Sequence, residues 1–137
     1  MGEVVQLHDH IAEARRAEAN GRYILDGREP VICPDLMDWG RWMQANDRAV
    51  AKTTIGDNLI STVFLGLDHS FTGGIPILFE TMIFGGKHDQ YQDRYSTYAL
   101  AEAGHLEAVE LVRRAERWPW KLLYIMSAWR NKLRDSL

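Results

Sequence analysis

Three β-prone segments separated by short turns constrain the fold of this chain more than any other feature. Residues 48–55, 59–68 and 77–84 are rich in Thr, Val, Ile, Leu and Phe, which are types enriched in strands. A turn at residues 56–58 and a glycine-rich loop at residues 69–76 join them. Strands joined by such short loops pair antiparallel, since a parallel return needs a crossover of about a dozen residues. The segments therefore predict a three-stranded antiparallel β-meander.

Helices are predicted on both sides of the meander, which makes the fold class α+β in a single domain. Residues 98–117 carry an apolar stripe at helical spacing. Asp35 is placed to cap a second helix, while the alanine-rich residues 4–19 and the Trp-rich tail after Pro119 predict two more. The predicted division is an N-terminal helical extension over residues 1–22, an α+β core domain over 23–117 and a C-terminal helix over 118–137.

Three further segments are predicted to be short or irregular. Tyr23 to Leu25 has the composition of a short strand. Residues 29–34 contain two prolines and predict an extended connector. Residues 87–93 are polar and predict a loop before the helix over residues 98–117.

Composition and charge argue against several classes of function. The single Cys33 cannot form an internal disulfide, and no His or Cys spacing typical of a zinc site is present, so we expect neither metal nor cofactor. A formal net charge of −3 argues against a broad nucleic-acid surface. The longest apolar runs hold about ten residues, half of what a membrane span requires. A segment resembling a signal peptide is also not seen at the N-terminus.

Alternation along the strands predicts which residues share a face of the sheet. If Leu67 pairs with Ile77, then Phe64 pairs with Glu80 and Thr62 with Met82. In that register one face is apolar throughout and suits a covering helix. The other face mixes Ile60, Phe64, Leu78, Met82 and Phe84 with Thr62, Glu80 and Asp68. It is covered by the terminal helices, or it is an exposed patch for self-association or a partner.

Four side chains are candidates for catalysis. Asp68 and His69 end the second strand, Glu80 interrupts an apolar strand, and His105 lies on the stripe of the following helix. Carboxylates and imidazoles are the groups of general acid–base catalysis, so a cluster of these four would suit a small hydrolase.

Structural roles are the alternative for the same side chains. Asp68 can close its loop through Asx-type hydrogen bonds. Glu80 within an apolar strand needs a partner, for which Arg48 or Arg94 is available. His105 can be a hydrogen-bonded core residue. The candidate binding residues near the second face and the loop are Phe64, Asp68, His69, Thr72, Glu80, Met82 and Arg94.

Several strings together resemble one protein family of tailed bacteriophages and prophages. They are STVFLGLDHSFTGG at residues 61–74, PILFETMIFGG at 76–86, DRYST at 93–97 and AEAGH at 101–105. The upstream strings ILDGREPV at 24–31, DLMDWGRWM at 35–43 and DRAVAKTTIGD at 47–57 resemble the N-terminal part of the same family. The resemblance covers roughly residues 23–114. It implies a small non-virion phage protein and carries no catalytic residues with it.

The function we expect is therefore that of a phage-encoded accessory binding protein. It would block or sequester a host component, either a defence protein or its nucleotide signal, in the host bacterial cytoplasm. Self-association through the second sheet face is a further expectation. The alternatives are a small hydrolase using the Asp/His/Glu cluster and a minor virion or assembly factor.

Overall fold

The structure, a computed structural model, describes residues 6–12, 14, 20–71, 73–117 and 120–134. Its strands form two antiparallel sheets. The smaller sheet is a hairpin of β1 (Tyr23–Asp26) and β2 (Glu29–Ile32). The larger sheet has the order β3-β4-β5-β6, formed by β3 (Ala49–Ile55), β4 (Asn58–Phe64), β5 (Phe79–Phe84) and β6 (Gln92–Tyr95).

The helices lie before, between and after these strands. They are α1 (Leu36–Ala45), α2 (Tyr98–Arg117) and α3 (Trp120–Arg134), with a helical stretch over residues 6–12. The side chain of Asp35 accepts a hydrogen bond from the Asp38 amide at 2.8 Å and so caps α1 as predicted. None of the described helices combines the length and the apolar composition that a membrane span requires.

The α+β class and the antiparallel meander are confirmed, but the meander has a fourth strand. Residues 92–95, assigned partly to a polar loop from sequence, pair with β5 as β6. The predicted connector after Asp26 is likewise a strand, β2, which pairs with β1 across a tight turn. In both segments, pairing with a neighbouring strand outweighs residue types that do not favour a strand, because tertiary context routinely overrides strand propensity.

The predicted register between the second and third strands of the meander is wrong by one residue. Phe64 pairs with Phe79 and Val63 pairs with Glu80, so each expected partner is shifted by one. Because side chains alternate, this shift inverts β4 relative to β5. Ile60, Thr62 and Phe64, expected on the second face, are fully buried.

The core lies between the inner face of the larger sheet and α2. Helix α2 contacts all four strands of that sheet. The buried side chains of the helix are Ala101, His105, Ala108, Val109 and Val112. The outer face carries alternate residues of the same strands and is partly open to solvent, with Phe84 40% exposed.

Candidate functional site

His105 occupies a polar position inside the core. It is only 3% exposed, and its Nδ1 and Nε2 atoms lie 2.8 Å from the hydroxyls of Thr62 and Thr53, respectively. Thr62 in turn shares a 2.6 Å hydrogen bond with Thr81. Burial lowers the pKa of His105 from its ordinary value of 6.5, because the apolar surroundings disfavour the charged ring. The geometry is that of a hydrogen-bonded core histidine.

Glu80 lies on the opposite face of the sheet from His105. Its strand neighbour Thr81 points to the inner face with Thr62, so Glu80 points to the outer face. Its Oε2 atom accepts hydrogen bonds from Arg94 Nε at 2.8 Å and Gln92 Nε2 at 2.6 Å. Arg94, one of the two partners considered from sequence, therefore forms the ion pair across β5 and β6.

Asp68 fixes the base of the loop that follows β4. Its Oδ1 atom accepts hydrogen bonds from the backbone amides of Ser70 at 2.8 Å and Ile77 at 3.0 Å. His69 is tied to the same loop, with Nδ1 2.8 Å from the Leu67 carbonyl oxygen. These are the Asx-type contacts that the sequence allowed as the structural alternative.

The four catalytic candidates are consequently held in three separate places. The sheet lies between Glu80 and His105, and the Asp68 carboxylate is engaged with backbone amides. Among the described residues, no group of three or more His, Cys, Asp and Glu side chains could hold a metal ion.

The remaining predicted binding residues are also dispersed. Phe64 is fully buried, with its ring centroid 5.8 Å from that of Trp42 and 5.3 Å from that of Phe79. It therefore belongs to the core and is inaccessible to a partner. Met82 is half-buried on the outer face beside Glu80. Thr72 lies outside the described residues.

A different candidate site is an apolar cleft of about 560 Å³ beside the loop that follows β4. The β1–β2 hairpin, the end of the loop, the start of α2 and Ala12 of the N-terminal helical stretch form its walls. Its apolar and aromatic lining includes Tyr23, Pro30, Ile32, Ile75, Pro76, Leu78 and Tyr98. Both the volume and the predominantly apolar lining are typical of binding cavities.

Charged side chains from the β1–β2 hairpin and from α2 form the rim of this cleft. The Arg28 guanidinium lies 4.9 Å from the centroid of the Tyr98 ring and 3.3 Å from a Glu102 carboxylate oxygen. Glu29 also lines the cleft. The lining thus holds one guanidinium and two carboxylates, so the cleft does not concentrate positive charge.

The loop beside the cleft exposes two large apolar side chains. Phe71 is 91% exposed and Ile75 is 73% exposed. Their loop begins at the hydrogen-bonded Asp68 and ends at Ile77, which pairs with His69 through the backbone. Large apolar side chains held on an anchored loop next to a cleft form a surface suited to a partner.

Sequence reasoning located this loop but missed the opposite walls of the cleft. Arg28 and Tyr98 are far apart in the chain and meet only because the hairpin folds over the start of α2. The turn at Asp26 and Gly27 was a usable signal, since a hairpin at that point places Arg28 at its tip.

No protein-family model, curated protein or solved structure matches the chain.

Proposed function

We propose that this chain is an accessory binding protein that blocks or sequesters a host protein through the cleft and its adjacent loop. The observation that carries the proposal is the exposure of Phe71 and Ile75 on one loop, of which Ile75 also lines an apolar cleft. Exposed apolar anchors next to a concave apolar surface are what a protein interface requires at its centre. The resemblance to phage proteins supplies the setting, the cytoplasm of an infected bacterium.

The charge of the rim favours a protein over a nucleotide as the partner. A nucleotide brings phosphates, and Glu29 and Glu102 would oppose them while Arg28 is already paired with Glu102. An apolar segment of a protein meets no such opposition. It would place one or two apolar side chains between Tyr23 and Tyr98 and cover the exposed loop.

Site-specific photo-crosslinking in host cells tests this proposal. A benzophenone amino acid at position 71 is expected to yield one discrete crosslinked host protein, identified by mass spectrometry. The same group at Arg114, near the far end of α2 and largely exposed, is the matched control and is expected to give none. Adding Ile75→Asp to the position-71 variant is expected to remove most of the product, because it puts a charge into the contact.

Two results would count against the proposal. Equal crosslinking from positions 71 and 114 would show that the contact is unspecific. A product containing only this chain would assign the loop to self-association and not to a host partner.

A further inference from the structure

Helix α3 presents an apolar face that is largely exposed. Among its large apolar side chains, Trp129 is 69% exposed and Leu122 is 60% exposed. The residues of that face recur at intervals of three and four, as on one side of a helix. They are Leu122, Ile125, Met126, Trp129 and Leu133.

The charged residues of α3 are all cationic. The sequence WKLLYIMSAWRNKLR contains no Asp or Glu, although the whole chain has a net charge of −3. At 100° per residue, Arg130 and Arg134 lie on one side of the apolar face and Lys132 lies on the other. The face is therefore flanked by positive charge along both edges.

This pattern argues against pairing of α3 with a second α3. In a helix pair the flanking positions of the two copies lie across the seam from each other, and opposite charges there stabilise the pair. Two copies of α3 would place arginine and lysine opposite arginine and lysine, with no carboxylate in either helix. The outer sheet face is no better suited, since it carries Lys52 and its carboxylate Glu80 is already paired with Arg94.

We propose that α3 binds in the plane of an anionic phospholipid surface. An apolar face with tryptophan sinks into the boundary between headgroups and acyl chains, while flanking cations contact the phosphates. A helix of 15 residues is about 22 Å long, which suits a helix that lies along the surface. This proposal concerns a different face of the molecule from the cleft and does not depend on it.

Flotation of the full chain with lipid vesicles tests the proposal. Vesicles of phosphatidylcholine with one third phosphatidylglycerol are expected to carry about tenfold more protein than phosphatidylcholine alone. Raising the salt concentration is expected to reduce this difference, because exposed charges are screened.

Double variants separate lipid binding by α3 from non-specific binding by other exposed apolar side chains. Leu122→Gln with Trp129→Gln is expected to abolish flotation, and Arg130→Gln with Arg134→Gln to remove the preference for anionic vesicles. Leu36→Gln with Met37→Gln on α1 is the control, because those side chains are comparably exposed at 58% and 64%. Circular dichroism and thermal unfolding verify that each variant is folded.

Three outcomes would overturn the proposal. They are failure of the full chain to float with anionic vesicles, flotation that the α3 substitutions leave unchanged, and a dimer in light scattering that the same α3 substitutions dissociate. The last would identify a second copy as the occupant of the face.

Discussion

The Nδ1 atom of His105 lies 2.8 Å from the hydroxyl oxygen of Thr62, and this contact joins α2 to the centre of the larger sheet. A neutral imidazole has one donor and one acceptor nitrogen, and threonine hydroxyls can serve either role. The hydroxyls of Thr53 and Thr81 complete the network on either side. Each ring nitrogen of His105 thus has a hydrogen-bonding partner inside an otherwise apolar interface.

The stability of the fold should decrease in mild acid because of this burial. Burial lowers the pKa of His105 below 6.5 in the folded chain, so the unfolded chain takes up the proton first as the pH falls. The contribution of the buried neutral ring is therefore full well above pH 6.5 and is lost as the pH falls through 6.5 towards the lower folded pKa. Urea unfolding at a series of pH values between neutral and mildly acidic measures the loss.

Replacement of His105 assigns the effect to the buried ring. His105→Gln is expected to be less stable than the parent chain at neutral pH, and its stability should depend less on pH. An NMR titration of the His105 ring provides the same test without mutation. A His105 that titrates at or above 6.5 in the folded protein would contradict the prediction.

Gly104 allows the aromatic ring of Tyr95 to pack directly on α2. A Cβ atom at this position would overlap the ring. Gly104→Ala is therefore expected to destabilise the fold by about 1–3 kcal/mol, the usual effect of overpacking a core. The free energy of unfolding from urea titration measures this change.

Gly40 is the matched control for this prediction. It lies within α1, and a Cβ atom there meets nothing within 4 Å. Gly40→Ala should stabilise the fold by about 0.5–1 kcal/mol, since alanine favours a helix. Equal effects of the two substitutions would show that the packing of Tyr95 does not determine the response.

The sequence could predict three of the four strands of the meander because these segments are rich in β-branched and aromatic residues and are bounded by turn residues. It could not predict the register, because both faces of β4 are apolar enough to be buried. Leu59 and Val63 alternate with Ile60 and Phe64. The distinguishing contacts are distant in sequence, above all that of Thr62 with His105. A histidine on the apolar stripe of a helix needs a hydrogen-bonding partner, and a threonine on a neighbouring strand can provide it. This need was the signal in the sequence that could have paired His105 with Thr62.

The arrangement of the candidate site could likewise be predicted only in part from the sequence. Glu80 was recognised as a carboxylate in need of a partner, and Arg94 was available to pair with it. Alternation along β5 already places Glu80 on the face away from the covering helix, whereas the pairing of Thr62 with Thr81 decides which β4 side chains face His105. A shift of one residue decides whether two side chains share a face, and sequence patterns do not resolve such a shift. The cleft depends on the β1–β2 hairpin, which has Arg28 at its tip. Residue types alone do not establish that this hairpin forms.

The ion pair of Glu80 and Arg94 is expected to stabilise the sheet only modestly. The Glu80 side chain is 12% exposed and that of Arg94 is 35% exposed, so solvent still screens the pair. A double-mutant cycle with Glu80→Gln and Arg94→Gln should give a coupling energy of about 0.5–1 kcal/mol. A coupling of several kcal/mol would instead indicate a fully desolvated pair.

Asp68 is expected to control how firmly the exposed loop is held. Asp68→Ala removes the acceptor for the amides of Ser70 and Ile77, and a lost charge-assisted acceptor costs about 1–3 kcal/mol. Chymotrypsin should then cleave after Phe71 faster than in the parent chain, because that side chain is already 91% exposed and the loop opens more often. Asp68→Asn keeps an oxygen acceptor in the same place and should show a smaller increase. Cleavage rates measured under native conditions separate the two variants, and equal rates in Asp68→Ala and the parent chain would mean that other contacts hold the loop.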